Sequence, residues 1–142
     1  MNVSKKLYIS QKECFHTIAK SVIYDVKQAT GKNLPMQKLK GFKYRRTMSN
    51  GAAVETKITE FQFPNVYQFE TTSRVNLHRT TYTVTEISDH VCEVTYKEEI
   101  EAEKWMQKMN NMLVGTIFAF LRKKRVTRLL KAMEDSVITA SK

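Results

Sequence analysis

"VCEVTYKEEIEAEKWMQKMNNMLVGTIFAFLRKKR", residues 91–125, changes its period partway along. From Val91 to Ile100 it alternates: Cys92, Val94, Tyr96 and Ile100 face one way, Glu93, Thr95, Lys97 and Glu99 the other. Period two is the signature of a half-buried strand. Beyond Glu101 there is no proline, one glycine, and a helical pattern nearly to the C-terminus, which predicts a helix over about residues 103–136. Within it, Met112–Leu121 are nearly uninterrupted apolar residues and Arg122–Arg125 are consecutive cations. Such a run falls well short of the ~20 apolar residues that span a bilayer. A core helix, a pocket lid and a docking surface remain as readings.

Working back from Val91, the period stays at two as far as Phe42, with candidate strands at 42–48, 53–61, 66–72, 76–86 and 91–100. Asn50 and Gly51 tolerate the positive φ of a type I′ hairpin turn, and Pro64-Asn65 and Ser88-Asp89 mark two more turns. Residues 3–9 alternate as a first strand. Ser10 and Glu13 then form a capping box, flanked by Ile9 and Cys14 at the positions of a hydrophobic staple. Phe15, Ile18, Ala19, Val22 and Val26 follow at helical spacing, and Gly31 suits a C-terminal cap. Pro35 opens a short second helix expected to end at Gly41. The order is strand, helix, short helix, antiparallel meander, long helix, in one α+β domain over residues 1–142. Such a sheet buries its inner face by curling around the last helix.

Several segments carry a resemblance: "SVIYDVKQATGKNL", "LKGFKY", "CEVTYKEE" and "MLVGTIFAFLRKKR". With the element order, they make the chain similar to the helix-grip, START-like (SRPBCC) superfamily. More narrowly, it resembles a group of small bacterial domains of unknown function. The resemblance implies an apolar ligand held between sheet and C-terminal helix, and the narrower group implies a link to sugar uptake or metabolism. Some superfamily members are cyclases, hydrolases or chaperone activators, but no catalytic motif carries over.

On a helical wheel, Met106, Met109, Leu113, Ile117 and Phe120 share a face that Lys124, Arg128 and Lys131 continue. This is the natural face to lie against the sheet, and Met109, Leu113, Ile117 and Phe120 are cavity candidates. The other arc contains Met112, Gly115, Phe118, Ala119, Val126, Leu129, Leu130 and Met133. Helix 103–136 would be ~50 Å long, so one apolar stripe is surplus. Phe118, Leu129, Leu130 and Met133 are then candidates for a homodimer or protein-docking interface. Alternatively the chain breaks near Arg122–Arg125 and both halves fold back. Lys124, Arg128 and Lys131 beside Leu129 and Leu130 also suit a weak contact with an anionic membrane surface.

Strand parity places polar residues on aromatic faces: Arg46 with Tyr44, Glu98 with Tyr96, His78 with Tyr82. An apolar wall with a few orienting polar groups is the composition of a ligand pocket. The alternative has Arg46 and Glu98 in solvent at strand ends, or paired across a mouth.

The net charge of +10 is unevenly spread, with eleven Lys/Arg against two acids in residues 1–46 and seven acids in residues 86–103. Charge alone supports only salt-sensitive contact with nucleic acid, and no nucleic-acid motif accompanies it. Cys14 and Cys92 form no CxxC pair, and the polar start "MNVSKKLYIS" is no secretory signal. Both cysteines are expected to be reduced core residues of a cytoplasmic protein. His16, His78 and His90 are scattered, so no metal or other cofactor is expected. Tyr82 or Tyr96 with Arg46 could polarise a carbonyl, but no reaction is indicated. The resulting expectation is a non-catalytic module for a hydrophobic or amphipathic small molecule, with a docking domain as the alternative.

Overall fold

The computed structural model describes residues 2–47, 51, 53–73, 76–102 and 114–140, without the side chains of Asn76, Ala102 and residues 114–122. The first helix begins where its caps dictate. The Ser10 hydroxyl accepts from the Glu13 amide at 3.1 Å, and the Glu13 carboxylate accepts from the Ser10 amide at 3.1 Å. Such caps satisfy amides that a helix start leaves orphaned. Helix α1 (Gln11–Thr30) buries Cys14, Phe15, Ile18, Ala19, Val22 and Val26 on one face. It ends at Gly31, whose φ of 76° lets its amide donate back to Lys27. That left-handed conformation is where glycine carries no Cβ penalty.

The segment after Pro35 is one 3₁₀ turn, Met36–Lys38, rather than the expected second helix to Gly41. Its backbone is claimed by the sheet: the Gly41 amide donates to Ile58 at 2.7 Å, and the Ile58 amide donates to Phe42 at 3.0 Å. Leu39 is meanwhile drawn fully into the core.

Six strands follow the predicted pattern with small changes of boundary: β1 (Asn2–Leu7), β2 (Lys43–Thr47), β3 (Ala53–Gln62), β4 (Val66–Thr72), β5 (Asn76–Ser88) and β6 (Val91–Ala102). They form one antiparallel sheet in the order β1-β6-β5-β4-β3-β2, so the first strand pairs with the last and the meander lies alongside. β1 stops at Leu7 rather than at residue 9; Ile9 is buried as half of the staple before α1. Gly51 at the β2–β3 hairpin has a φ of 86°, as its turn requires, while Asn50 lies outside the described residues. The register shifts between Ile58 and Glu60 in β3, and between Glu86 and Ser88 in β5. Such bulges bend a strand and strengthen its twist.

The C-terminal helix α2 (Val114–Ala140) packs on β1 and α1. It is unbroken through Arg122–Arg125, which removes the fold-back alternative, and it passes the expected end at residue 136. The expected start at 103 lies outside the described residues. Val126, Leu130 and Met133 are buried and Val137 packs beside them. That is i, i+4, i+7, i+11 spacing, one apolar stripe of an amphipathic helix.

In this half of α2 the core-facing side is therefore the arc read as surplus, and Lys124, Arg128 and Lys131 lie on the exposed side. The interface assignment of Leu130 and Met133 is corrected accordingly: they are 0% and 9% exposed. Glu134, 4% exposed, fastens the same stripe to the residue just after β1. Its carboxylate accepts from the Tyr8 amide at 2.7 Å and from the Lys131 ammonium at 2.8 Å. Among the described residues, no helix is long and apolar enough to cross a membrane.

Candidate functional site

Sheet register sorts the inner face into rows. Val84 stands opposite Val94, and both are fully buried. One step along, Tyr67, Tyr82 and Tyr96 are paired across three strands. The next row is Phe69, Thr80 and Glu98. Aliphatic packing thus gives way to aromatic rings and then to a charge within two steps of the strand period.

The aromatic row is continuous. Tyr67 and Tyr82 stack with centroids 5.8 Å apart, Tyr82 meets Tyr96 edge-on at 5.2 Å, and Tyr67 stacks on Phe69 at 5.2 Å. Burial raises the phenol pKa of all four interior tyrosines. Tyr82 is pushed up to about 12, first by burial and then by the nearby Glu98 charge. For Tyr96, burial leads and Glu98 adds to it. At neutral pH these rings are therefore uncharged walls.

Above the rings lie two cavities that share Tyr82 and Leu129 as a partition. The smaller, about 230 Å³, reaches from Tyr44, Arg46, Tyr67 and Phe69 on the sheet to α1. There Thr17, Ser21 and Asp25, spaced one helical turn apart, join Ile18 and Val22. Met133 supplies part of its α2 wall. The larger, about 580 Å³, runs from His78, Tyr96 and Glu98 to Arg125, Val126 and Arg128 of α2.

Each lobe has its own polar group. In the larger one, His78 Nδ1 lies 3.6 Å from Glu98 Oε1, and the Tyr96 hydroxyl donates to Glu98 Oε2 at 3.0 Å. The Glu98 side chain is only 11% exposed. In the smaller lobe, Arg46 Nε is buried and has no hydrogen-bond partner. The alternative in which Arg46 and Glu98 pair across a mouth does not hold: Glu98 is met by His78 and Tyr96, and Arg46 lines the other lobe. The same partition separates Arg46 from Tyr96 as a joint carbonyl-polarising pair; of the two tyrosines considered for that role, only Tyr82 lines the Arg46 lobe.

Of the cavity residues expected from sequence, Tyr44, Arg46, His78, Tyr82, Tyr96 and Glu98 all line one lobe or the other. Met109 and Leu113 lie outside the described residues, as do the side chains of Ile117, Phe120 and Phe118. Leu129 is 46% exposed, yet it lines both lobes. Arg128 faces the larger lobe, and Lys131 is engaged by Glu134 and Asp135, so the basic arc is not one uniform surface. Sequence reading missed Tyr67 and Phe69, whose alternate positions in β4 were the available signal. It also missed the Thr17, Ser21, Asp25 edge of α1, which repeats every four residues beside the apolar stripe.

Cys14 and Cys92 are buried and free. The two thiols share a hydrogen bond that raises the Cys14 pKa, with burial adding to it, and lowers that of Cys92. Among the described residues, no group of His, Cys, Asp or Glu is arranged to hold a metal ion.

Residues 1–119 match the family described as Domain of unknown function (DUF3284). No curated protein matches the sequence. Among solved structures, a point mutant of norcoclaurine synthase from Thalictrum flavum, in complex with a transition state analogue, is similar with a TM-score of 0.64. It is 11% identical, and the match covers 100% of this chain and 95% of that one. A START superfamily protein from Mycobacterium smegmatis is similar at TM-score 0.63 and 8% identity, over 99% of this chain and 97% of that one. An uncharacterised protein from Bacillus thuringiensis follows at 0.59 and 12% identity, over 97% and 98%. At these identities the likeness shows the fold alone, and the fold is the START-like helix grip.

Proposed function

The chain belongs to the DUF3284 family and has the START-like helix-grip fold, and from that premise we propose that it is a non-catalytic binding module for a hydrophobic or amphipathic small molecule. What supports the proposal is a pair of adjoining cavities that share Tyr82 and Leu129, one of about 230 Å³ between the sheet and α1 and one of about 580 Å³ between the sheet and α2. Small-molecule sites are mostly apolar hollows of ~300–1,000 Å³ with a few placed polar groups. Here the wall is a row of uncharged tyrosines, and the polar groups are Arg46 in one lobe and the His78–Glu98–Tyr96 cluster in the other. A link to sugar uptake or metabolism is the finer part of this reading and rests on the sequence resemblance alone.

Native mass spectrometry of freshly purified protein tests the proposal. A discrete adduct on the chain is the expected result. Lipid, polyketide-like and glycoside compounds are then screened by thermal shift, because a ligand that binds only the folded state raises the melting temperature by mass action. No adduct and no shift with any class would overturn the reading.

A further inference from the structure

The unpartnered group in the smaller lobe specifies a ligand chemistry. Arg46 stands on the inner face of β2 opposite Val54, and its Nε is buried with no hydrogen-bond partner. A buried guanidinium donor without an acceptor carries its desolvation cost uncompensated. Elsewhere this sheet answers its partly buried charges. Arg79 is held by Glu70 at 3.2 Å and Glu99 at 3.6 Å, and Glu98 is met by His78 and Tyr96. The Nε of Arg46 has no such answer among the described residues, although the side chain lines a cavity with room for an acceptor.

The rest of the lobe narrows the acceptor. Its charged groups are Arg46 and Asp25, the latter exposed at the rim on α1. Asp25 and Arg46 also both line an outer cavity with Gln28, Arg45 and Thr47, so both reach the solvent end of the lobe, Asp25 exposed and Arg46 with its Nε kept inside. An exposed carboxylate is screened by water and salt and leaves Arg46, half-buried with its Nε in the wall, the dominant charge of the lobe. It still disfavours a doubly charged anion at the same spot. A single planar carboxylate matches the guanidinium edge in geometry and charge. Next to Arg46 the wall is aromatic, from Tyr44 through the stacked Tyr67 and Tyr82. At about 230 Å³ the lobe lies below the range of drug-sized sites, which suits one ring with a short acidic arm.

We propose that the smaller lobe binds an aromatic monocarboxylate, its carboxylate received by the Arg46 guanidinium and its ring lying on the Tyr44–Tyr67–Tyr82 wall. This rests on the binding-module reading and adds the ligand class. The test is isothermal titration of the full chain with cinnamate and with its uncharged isostere cinnamamide, for wild type and Arg46→Met. Wild type is expected to prefer the acid at least tenfold, and Arg46→Met is expected to bind both alike. Should Arg46→Met fail to fold, Arg46→Lys retains the charge but loses the planar fork, and its preference for the acid is expected to fall severalfold. Equal binding of acid and amide by wild type would overturn the carboxylate inference while leaving the binding-module reading standing. A preference that survives Arg46→Met would overturn the assignment to Arg46. If neither compound binds, this inference fails; the broader reading fails only if native mass spectrometry also finds no adduct.

Discussion

Along β5 and β6 the same face of the same sheet does two different things. At the Val84–Val94 end it meets Leu7, Cys14, Phe15 and Leu130 in a fully buried cluster. At the Tyr82–Tyr96 end it leaves space beneath α2 and turns charged groups toward it. The two regions have one backbone and one register, so their difference lies in side-chain shape and partner supply. Aliphatic residues against the α2 stripe interlock at the density of an organic crystal. Flat phenols stacked on one another instead form a floor, with nothing described above them that fills the volume. Among the described residues, one end is packed solid and the other borders the two cavities.

The sharpest way to break this contrast uses two adjacent leucines of α2. Leu130 is fully buried in the dry end, whereas Leu129 lines both cavities. Leu130→Ala is expected to cost about 2–5 kcal/mol, the transfer term plus a new cavity. Leu129→Ala should cost less than about 1 kcal/mol, because its site is already half open to solvent. Urea denaturation of the two variants measures both. Equal losses would mean that the cavity end contributes as much to stability as the dry end, and the division would fall.

Glu134 offers a second, smaller test at the boundary between α2 and β1. Its pKa is lowered, first by the Lys131 hydrogen bond and then by the Tyr8 amide. A carboxyl lowered on folding adds stability above its unfolded pKa of about 4.3, and loses it as pH falls through the lower folded value. Glu134→Gln keeps an acceptor for Tyr8 but removes the charge, for an expected loss of about 1–2 kcal/mol at pH 7. That gap should close on acidification below about pH 4. A gap independent of pH would mean that shape, not charge, fastens the helix.

How much of this contrast was legible beforehand follows from how local each signal is. The capping box at Ser10 and Glu13, the cap at Gly31 and the alternation of β6 are written within a few residues, and each was read correctly. Parity also carried the polar residues Arg46, His78 and Glu98 to the inner face. Their partners depend on which strands are neighbours. Glu98 and His78 are separated by the whole β5–β6 hairpin, so the pairing was not readable from either strand alone. The working face of α2 was misread for a related reason. Both of its arcs are apolar over part of their length, and only contact with β1 and α1 chooses Val126, Leu130 and Met133 as the buried one. The partition of the cavity by Tyr82 and Leu129 joins a strand to a helix more than forty residues away, beyond any periodic pattern.

The smallest expected effect lies in the cavity end itself. Tyr96→Phe removes the hydroxyl that donates to Glu98 but leaves the ring against Tyr82. Because water entering the larger lobe can take over that donation, the expected loss at pH 8 is about 0.5–1 kcal/mol, the low side of a typical net hydrogen bond. The sign at high pH is distinctive. Burial and the Glu98 charge raise the Tyr96 phenol above its ordinary value near 10. A raised folded pKa gives stability that is complete below the unfolded value and is lost as pH climbs toward the folded one. Wild type therefore loses a contribution above about pH 10 that the phenylalanine variant never had, and the two urea midpoints should converge or cross near pH 11. A constant offset from pH 8 to pH 11 would show that Tyr96 titrates like a solvated phenol, and that this end of the sheet is wetter than the stacked rings imply.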